Sequence, residues 1–180
     1  MKVLFVGLLM APLTVLASEN DSLWLLIDTD KLLLKVMRGE KVEVVYENIS
    51  IGKNGAGIDK ERGDEKTPLG TFKIGWINRN SRYHLFFGFT YPSLEIAKRG
   101  FAGGKIDFKM YYEIRAAKEL GRVPPQNSSL GGQIGIHGLG SADPVIHHAV
   151  NWTGGCIALT NEQVDSLNEW VFRGMRVVVV

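Results

Sequence analysis

The segment HHAVNWTGGCIALTNEQ, residues 147–163, contains the only cysteine of the 180-residue chain, Cys156. A single thiol is a buried small hydrophobe, an intermolecular link or a nucleophile. Two glycines, Gly154 and Gly155, precede it. Glycine backbones can turn so that successive N–H groups converge on one point, as the oxyanion of an acyl-transfer intermediate requires. The pattern therefore favours a nucleophilic cysteine with an oxyanion hole formed by Gly154, Gly155 and Cys156.

A nucleophilic cysteine needs a base, and three histidines lie within twenty residues upstream: His137, His147 and His148. His137 ends the apolar segment QIGIH and precedes Gly138, so a rigid strand would hold its imidazole in place. A neighbouring base lowers the pKa of a thiol from its usual value of about 8.5. We therefore predict that His137 deprotonates Cys156 and holds it partly as a thiolate.

Two other interpretations of these residues remain open. His137, His147, His148 and Cys156 are acceptable zinc ligands, but the chain has no Cys-x-x-Cys or His-Glu-x-x-His spacing. The sequence therefore predicts no metal and no cofactor. In the second alternative Cys156 is only part of the core of a non-catalytic cell-envelope binding protein.

The elements that must position these residues are mostly β-strands. Apolar residues alternate with polar ones or form short apolar runs bounded by turn residues, which is typical of strands. Helical spacing occurs in residues 106–120, which end before Gly121, and in residues 161–173, where Thr160 and Gln163 have capping-box spacing. We predict a single, mostly β domain of the sandwich or barrel type with about two helices. The predicted strands lie in residues 23–28, 31–39, 41–52, 67–77, 83–91, 133–138 and 175–180.

The first residues predict export. Residues 1–17 combine Lys2, an apolar stretch and small residues at Val15 and Ala17, which is typical of a cleaved signal peptide. The mature domain would be residues 18–180, in the periplasm or cell envelope, without a stable membrane span after cleavage. The net charge of +2 and the absence of basic tracts argue against a nucleic-acid partner. The sequence does not indicate an oligomeric state.

The motifs IHG (136–138), TGGCIAL (153–159) and KTPLGTF (66–72) together resemble the L,D-transpeptidase catalytic domain, the YkuD-type family. The resemblance spans nearly the whole mature chain. It implies an exported enzyme that acts on peptidoglycan stem peptides through a thioester on Cys156. It also implies that His137 is the general base and that the backbone carbonyl of Gly138 orients the imidazole.

Some positions differ from the usual family pattern. Many members have histidine at the position of Gly154, and arginine or asparagine soon after the cysteine, where this chain has Ile157 and Ala158. The segment NWTGGCIAL is similar to the YafK-like branch, which includes murein hydrolases. L,D-hydrolase or carboxypeptidase activity at the same Cys/His site is therefore the alternative to transfer. The helical segment 105–120 and the loop to Gly132 are expected to form a lid over the site.

Overall fold

The computed structural model describes residues 21–180, which form ten strands and four helices. Eight strands build one mixed sheet in the order β3-β2-β1-β10-β6-β7-β8-β9, and β4 pairs with β5 separately. The strands are β1 (Leu23–Asp28), β2 (Leu33–Arg38), β3 (Lys41–Glu47), β4 (Ala56–Gly57), β5 (Thr67–Pro68), β6 (Gly70–Ser81), β7 (His84–Phe89), β8 (Gly135–His137), β9 (Ile157–Ala158) and β10 (Arg176–Val179). The helices are α1 (Leu94–Ala102), α2 (Phe108–Glu119), α3 (Pro144–Ala149) and α4 (Asn161–Asn168).

The centre of the sheet joins the two ends of the described chain. β1 and β2 form an antiparallel hairpin, and β10 lies parallel to β1, with Leu25 opposite Val177. Because side chains alternate between the faces of a strand, Leu25, Ile27 and Val177 all point into the buried core. Burial of these apolar side chains is the main stabilising contribution at this position.

The long strand β6 connects this central part of the sheet to the part that carries the histidine and the cysteine. Its first residues pair with β10 and its later residues pair with β7, with register shifts between Ile74 and Trp76 and between Asn78 and Ser81. β7 then pairs with β8, and β8 lies parallel to β9. The prediction of a mostly β domain is confirmed.

The helices differ in number from the prediction. The two predicted helices are present as α2 and α4, and α4 begins with the predicted capping box of Thr160 and Gln163. α1 and the short α3 were not predicted. Each begins with a capping side chain, Ser93 for α1 and Asp143 for α3, which accepts a hydrogen bond from the first helical turn.

None of the helices within residues 21–180 is long and apolar enough to cross a membrane. The predicted signal peptide, residues 1–17, lies outside the described residues.

Candidate active site

Two neighbouring parallel strands bring His137 and Cys156 to the same cleft. His137 is the last residue of β8, and Cys156 immediately precedes β9. Ile136 pairs with Ile157, so Cys156 lies beside Gly135, and its side chain is on the same sheet face as that of His137. Both residues line a cleft of about 690 Å³, here called the Cys156 cleft. Neither His147 nor His148 is among the described residues that line the Cys156 cleft.

The His137 imidazole is buried, with 2% of its surface exposed, and its orientation is fixed from one side by a hydrogen bond. Nδ1 lies 2.7 Å from the carbonyl oxygen of Gly138. A carbonyl can only accept, so Nδ1 carries the proton and Nε2 of the neutral ring is an unprotonated acceptor. Burial lowers the pKa of His137 to about 4. The ring is therefore neutral at physiological pH and has the tautomer that a general base needs.

Aromatic rings hold His137 in place. Tyr83 stacks on the imidazole with ring centroids 4.3 Å apart, and Trp152 contacts it edge-on at 5.9 Å. The backbone of Gly138 is packed closely against its neighbours. A β-carbon at this position would lie 2.7 Å from Asn161 Oδ1 and 2.9 Å from the Tyr83 carbonyl oxygen. A larger residue at Gly138 would therefore displace the carbonyl that contacts Nδ1.

The glycine turn before Cys156 is built around the hydroxyl of Thr153. Its Oγ1 donates to the Cys156 carbonyl oxygen at 2.7 Å and accepts from the Gly155 N–H at 3.1 Å. Gly155 has a φ of +126°, and a β-carbon there would lie 2.5 Å from the Lys66 carbonyl oxygen, so the position requires glycine. Because the Gly155 N–H is engaged by Thr153, it would have to leave that hydroxyl to bind an oxyanion. Gly154 is exposed at the edge of the cleft.

The Cys156 thiol is free and partly accessible. Its Sγ donates to the backbone carbonyl oxygen of Gln133 at 3.3 Å. Burial raises the pKa of Cys156 to about 11, although a hydrogen bond with the Gly135 backbone and the charge of Lys60 oppose this effect. The prediction of a resting thiolate is therefore wrong: loss of hydration outweighs the nearby favourable groups, and at neutral pH both Cys156 and His137 are uncharged.

A buried ammonium lies behind the glycine turn. Lys60 is 3% exposed, and its Nζ donates to Asp64 Oδ1 at 2.6 Å. Asp64 also accepts the backbone N–H groups of Glu61 and Lys66, so the carboxylate is held by three donors. These bonds lower the pKa of Asp64 despite its partial burial, so its carboxylate remains ionised beside Lys60. Lys60 is therefore a fixed positive charge close to Cys156.

Comparison with known proteins identifies the family. The family model for the L,D-transpeptidase catalytic domain, YkuD, matches residues 22–179. The chain belongs to this family. Its members act on the peptidoglycan of the cell wall. No match is found among curated protein sequences.

Solved structures share the fold of this L,D-transpeptidase domain. The helical cell shape determining protein Pgp2 from Campylobacter jejuni is 22% identical, with a TM-score of 0.59 over 91% of this chain and 51% of Pgp2. Bd1075 from Bdellovibrio bacteriovorus is 18% identical, with a TM-score of 0.56 over 91% of this chain and 50% of Bd1075. The chain thus spans about half the length of these two proteins.

His147 and His148, the other two candidate histidines, lie on α3. His147 is buried, and its Nδ1 accepts a hydrogen bond from Trp152 Nε1 at 3.2 Å, so it supports the tryptophan that contacts His137. Within residues 21–180 no three His, Cys, Asp or Glu side chains form a group that could hold a metal ion. The four side chains of the zinc alternative are therefore not arranged as a metal site.

The lid expectation is largely wrong. α2 packs against α1 rather than over the cleft, and of residues 105–132 only Gly132 lines the Cys156 cleft. The cleft is lined instead by Gly132, Gln133 and Ile134 and by residues from the end of β6 and the turn after it, including Asn78 and Tyr83, with no lining residue from α2. The segment is held away from the site because Ile114 of α2 is buried in the main core.

Several residues near the site were not predicted from the sequence, namely Tyr83, Trp152, Gln133 and Lys60. Trp152 lies four residues before Cys156, so its closeness in the sequence could have indicated that it belongs to the site. The others come from distant segments and carry no local motif.

Proposed function

We propose that this chain is an exported cysteine acyltransferase that performs L,D-transpeptidation on peptidoglycan stem peptides. The observation that carries the proposal is the hydrogen-bond pattern of His137. Because Nδ1 is engaged by the Gly138 carbonyl at 2.7 Å, Nε2 remains as the acceptor in a cleft that also contains Cys156. Family membership supplies the substrate class.

The first half-reaction begins from a neutral pair. The Cys156 Sγ attacks the carbonyl carbon at the L-centre of diaminopimelate in a tetrapeptide stem, while Nε2 of His137 takes the thiol proton. The carbon–nitrogen bond to the terminal D-alanine then breaks. The departing amine receives the proton from His137, and a thioester with Cys156 remains.

In the second half-reaction an acceptor amine attacks the thioester. His137 takes a proton from the amine, the carbon–sulfur bond breaks, and Cys156 regains its proton. The oxyanion in both steps is stabilised by backbone N–H groups of the glycine turn, and a single such donor contributes about 3 kcal/mol. The N–H groups of Gly154 and Cys156 are the first donors in this proposal, and that of Gly155 joins if it leaves Thr153.

The resting hydrogen bond from Cys156 to the Gln133 carbonyl has a mechanistic consequence. The thiol must rotate away from Gln133 to donate its proton to Nε2. Substrate that enters the cleft beside Gln133 would displace this hydrogen bond and expel water. In this proposal the nucleophile is therefore activated only when substrate is bound, which limits unwanted modification of the thiol.

The test is incubation of the purified protein with disaccharide tetrapeptides, with and without a free D-amino acid, followed by mass analysis of the products. Transfer exchanges the terminal D-alanine for the added amino acid. Hydrolysis, the alternative activity, gives the tripeptide even when the added amino acid is in excess. If neither product forms, or if Cys156→Ser retains activity, the proposed function is wrong.

A further inference from the structure

A second and larger cleft lies beside β6 and β10, separate from the Cys156 cleft. Its volume is about 910 Å³, and its walls are the first half of β6, α1 and residues 121–124. Apolar side chains, including Ile74, Ile96 and Val123, form part of its lining. Cys156 and His137 do not line it. We call this cleft the basic groove.

The charge of the basic groove is strongly one-sided. Among the described residues that line it, Glu95 is the only carboxylate, and it lies 3.4 Å from Lys118. Arg99 is also paired, at 3.3 Å from Asp59, which lies outside the lining. Lys73, Arg122 and Arg173 form no ion pair with any carboxylate of residues 21–180. The cationic lining residues are Lys73, Arg99, Lys118, Arg122, Arg173 and Arg176.

Two of these cations lie directly opposite each other. Arg176 of β10 pairs with Lys73 of β6 in the antiparallel register. Like charges at directly opposite positions destabilise a sheet. The guanidinium of Arg176 packs over the Trp24 ring, 4.4 Å from its centroid, so the side chain is held in place. An anion bound between these two cations would reduce their mutual repulsion.

The basic groove and the Cys156 cleft are connected by shared elements. Residues Gly70–Gly75 of β6 line the groove, whereas Trp76, Asn78 and Asn80 of the same strand line the cleft. Five residues separate Lys73 from Asn78, which corresponds to about 17 Å along a strand. An extended polymer can therefore contact both places at once.

We propose that the basic groove binds the free carboxylates of a second stem peptide on the same peptidoglycan polymer while Cys156 acts on the first. This inference rests on the proposed function. Stem peptides carry several carboxylates beside small aliphatic side chains, which match the cations and the apolar lining of the groove. Two simultaneous contacts raise the effective concentration of the substrate stem at the cleft.

The test measures binding separately from turnover. Co-sedimentation with purified sacculi is measured in a Cys156→Ala background, so that no substrate is consumed. The double variant Lys73→Glu/Arg173→Glu is compared with Arg62→Glu/Lys98→Glu, which changes the charge equally at exposed positions outside both clefts. Circular dichroism establishes that both are folded.

We expect the groove variant to bind sacculi about tenfold more weakly at low salt and the control variant to bind within about twofold of the parent. Sacculi whose stem carboxylates have been amidated should lose binding to the parent protein. In the active background, turnover of a single soluble tetrapeptide should be the same in both variants.

Equal loss of binding to sacculi in both variants would overturn the inference, as would unchanged binding of the parent protein to amidated sacculi. The inference is also wrong if the groove variant loses binding to phosphatidylglycerol vesicles but still binds sacculi. Absence of soluble turnover in every variant contradicts the proposed function instead, and the binding result remains interpretable.

Discussion

The buried ammonium of Lys60 lies next to Gly155, so that a β-carbon added to that glycine would be 3.1 Å from Nζ. This charge lowers the pKa of Cys156, but burial of the thiol has the larger opposite effect. Lys60 therefore acts electrostatically on the thiol of Cys156, although the two residues are 96 positions apart in the chain.

We predict that Lys60→Met raises the pKa of Cys156 further and slows alkylation by iodoacetamide at pH 8.5 about tenfold, because the positive charge that favours the thiolate is removed. Lys60→Met/Asp64→Asn avoids an unpaired carboxylate and should show the same slowing. Lys53→Met, which removes an exposed lysine paired with Glu65, is the control and should have no effect. Equal rates in all proteins would contradict an electrostatic role of Lys60.

The second prediction concerns the resting state of the nucleophile. In the absence of substrate, Cys156 should alkylate at pH 7 about a hundredfold more slowly than a cysteine in an unstructured peptide, because a pKa of about 11 leaves little thiolate. The rate should increase with pH without a plateau up to about pH 10. The measurement is the pH dependence of the iodoacetamide rate, with the urea-unfolded chain as reference. A plateau near pH 6 would show a preformed thiolate instead.

The sequence predicted the elements whose signals are local. The capping box of Thr160 and Gln163 and the short apolar runs of β1 and β2 depend on neighbouring residues, and both were identified correctly. The protonation of Cys156 was predicted wrongly, because burial is a property of the assembled fold. The Gln133 carbonyl reaches Sγ only after loop 121–134 packs against β7 and β8, and no pattern in the sequence reports that contact.

The third prediction concerns the turn that positions Cys156. Thr153→Val keeps the side-chain shape but removes one hydroxyl that both accepts from Gly155 and donates to the Cys156 carbonyl. We expect unfolding free energy to fall by about 1–3 kcal/mol and kcat to fall at least about tenfold. Thr153→Ser retains the hydroxyl and should keep most of the activity. Urea unfolding and steady-state kinetics provide the two measurements; wild-type kcat in Thr153→Val would show that the hydroxyl does not position the nucleophile.

The fourth prediction follows from the burial of neutral His137. Its pKa falls from 6.5 to about 4 on folding, so between these values the unfolded chain binds the proton and the folded chain does not. The contribution of His137 to the free energy of unfolding is therefore fully present above pH 6.5. It decreases by about 3 kcal/mol as the pH falls towards 4. His137→Gln should have a smaller loss of unfolding free energy over this range. His148→Gln, at an exposed position, should follow the wild type. An unchanged slope in His137→Gln would contradict the burial of a neutral imidazole.

The central claim is that Cys156 forms a thioester with the help of His137, and rapid-quench intact mass analysis tests it most directly. The wild-type protein is mixed with a disaccharide tetrapeptide in the absence of an acceptor amine, quenched in acid and digested to locate the adduct. We predict a mass increase equal to the substrate minus D-alanine, on the peptide that contains Cys156. The adduct should be absent from Cys156→Ser and formed far more slowly in His137→Gln, whereas His148→Gln should form it at the wild-type rate. An adduct on another residue, or equal rates in His137→Gln and the wild type, would contradict the account.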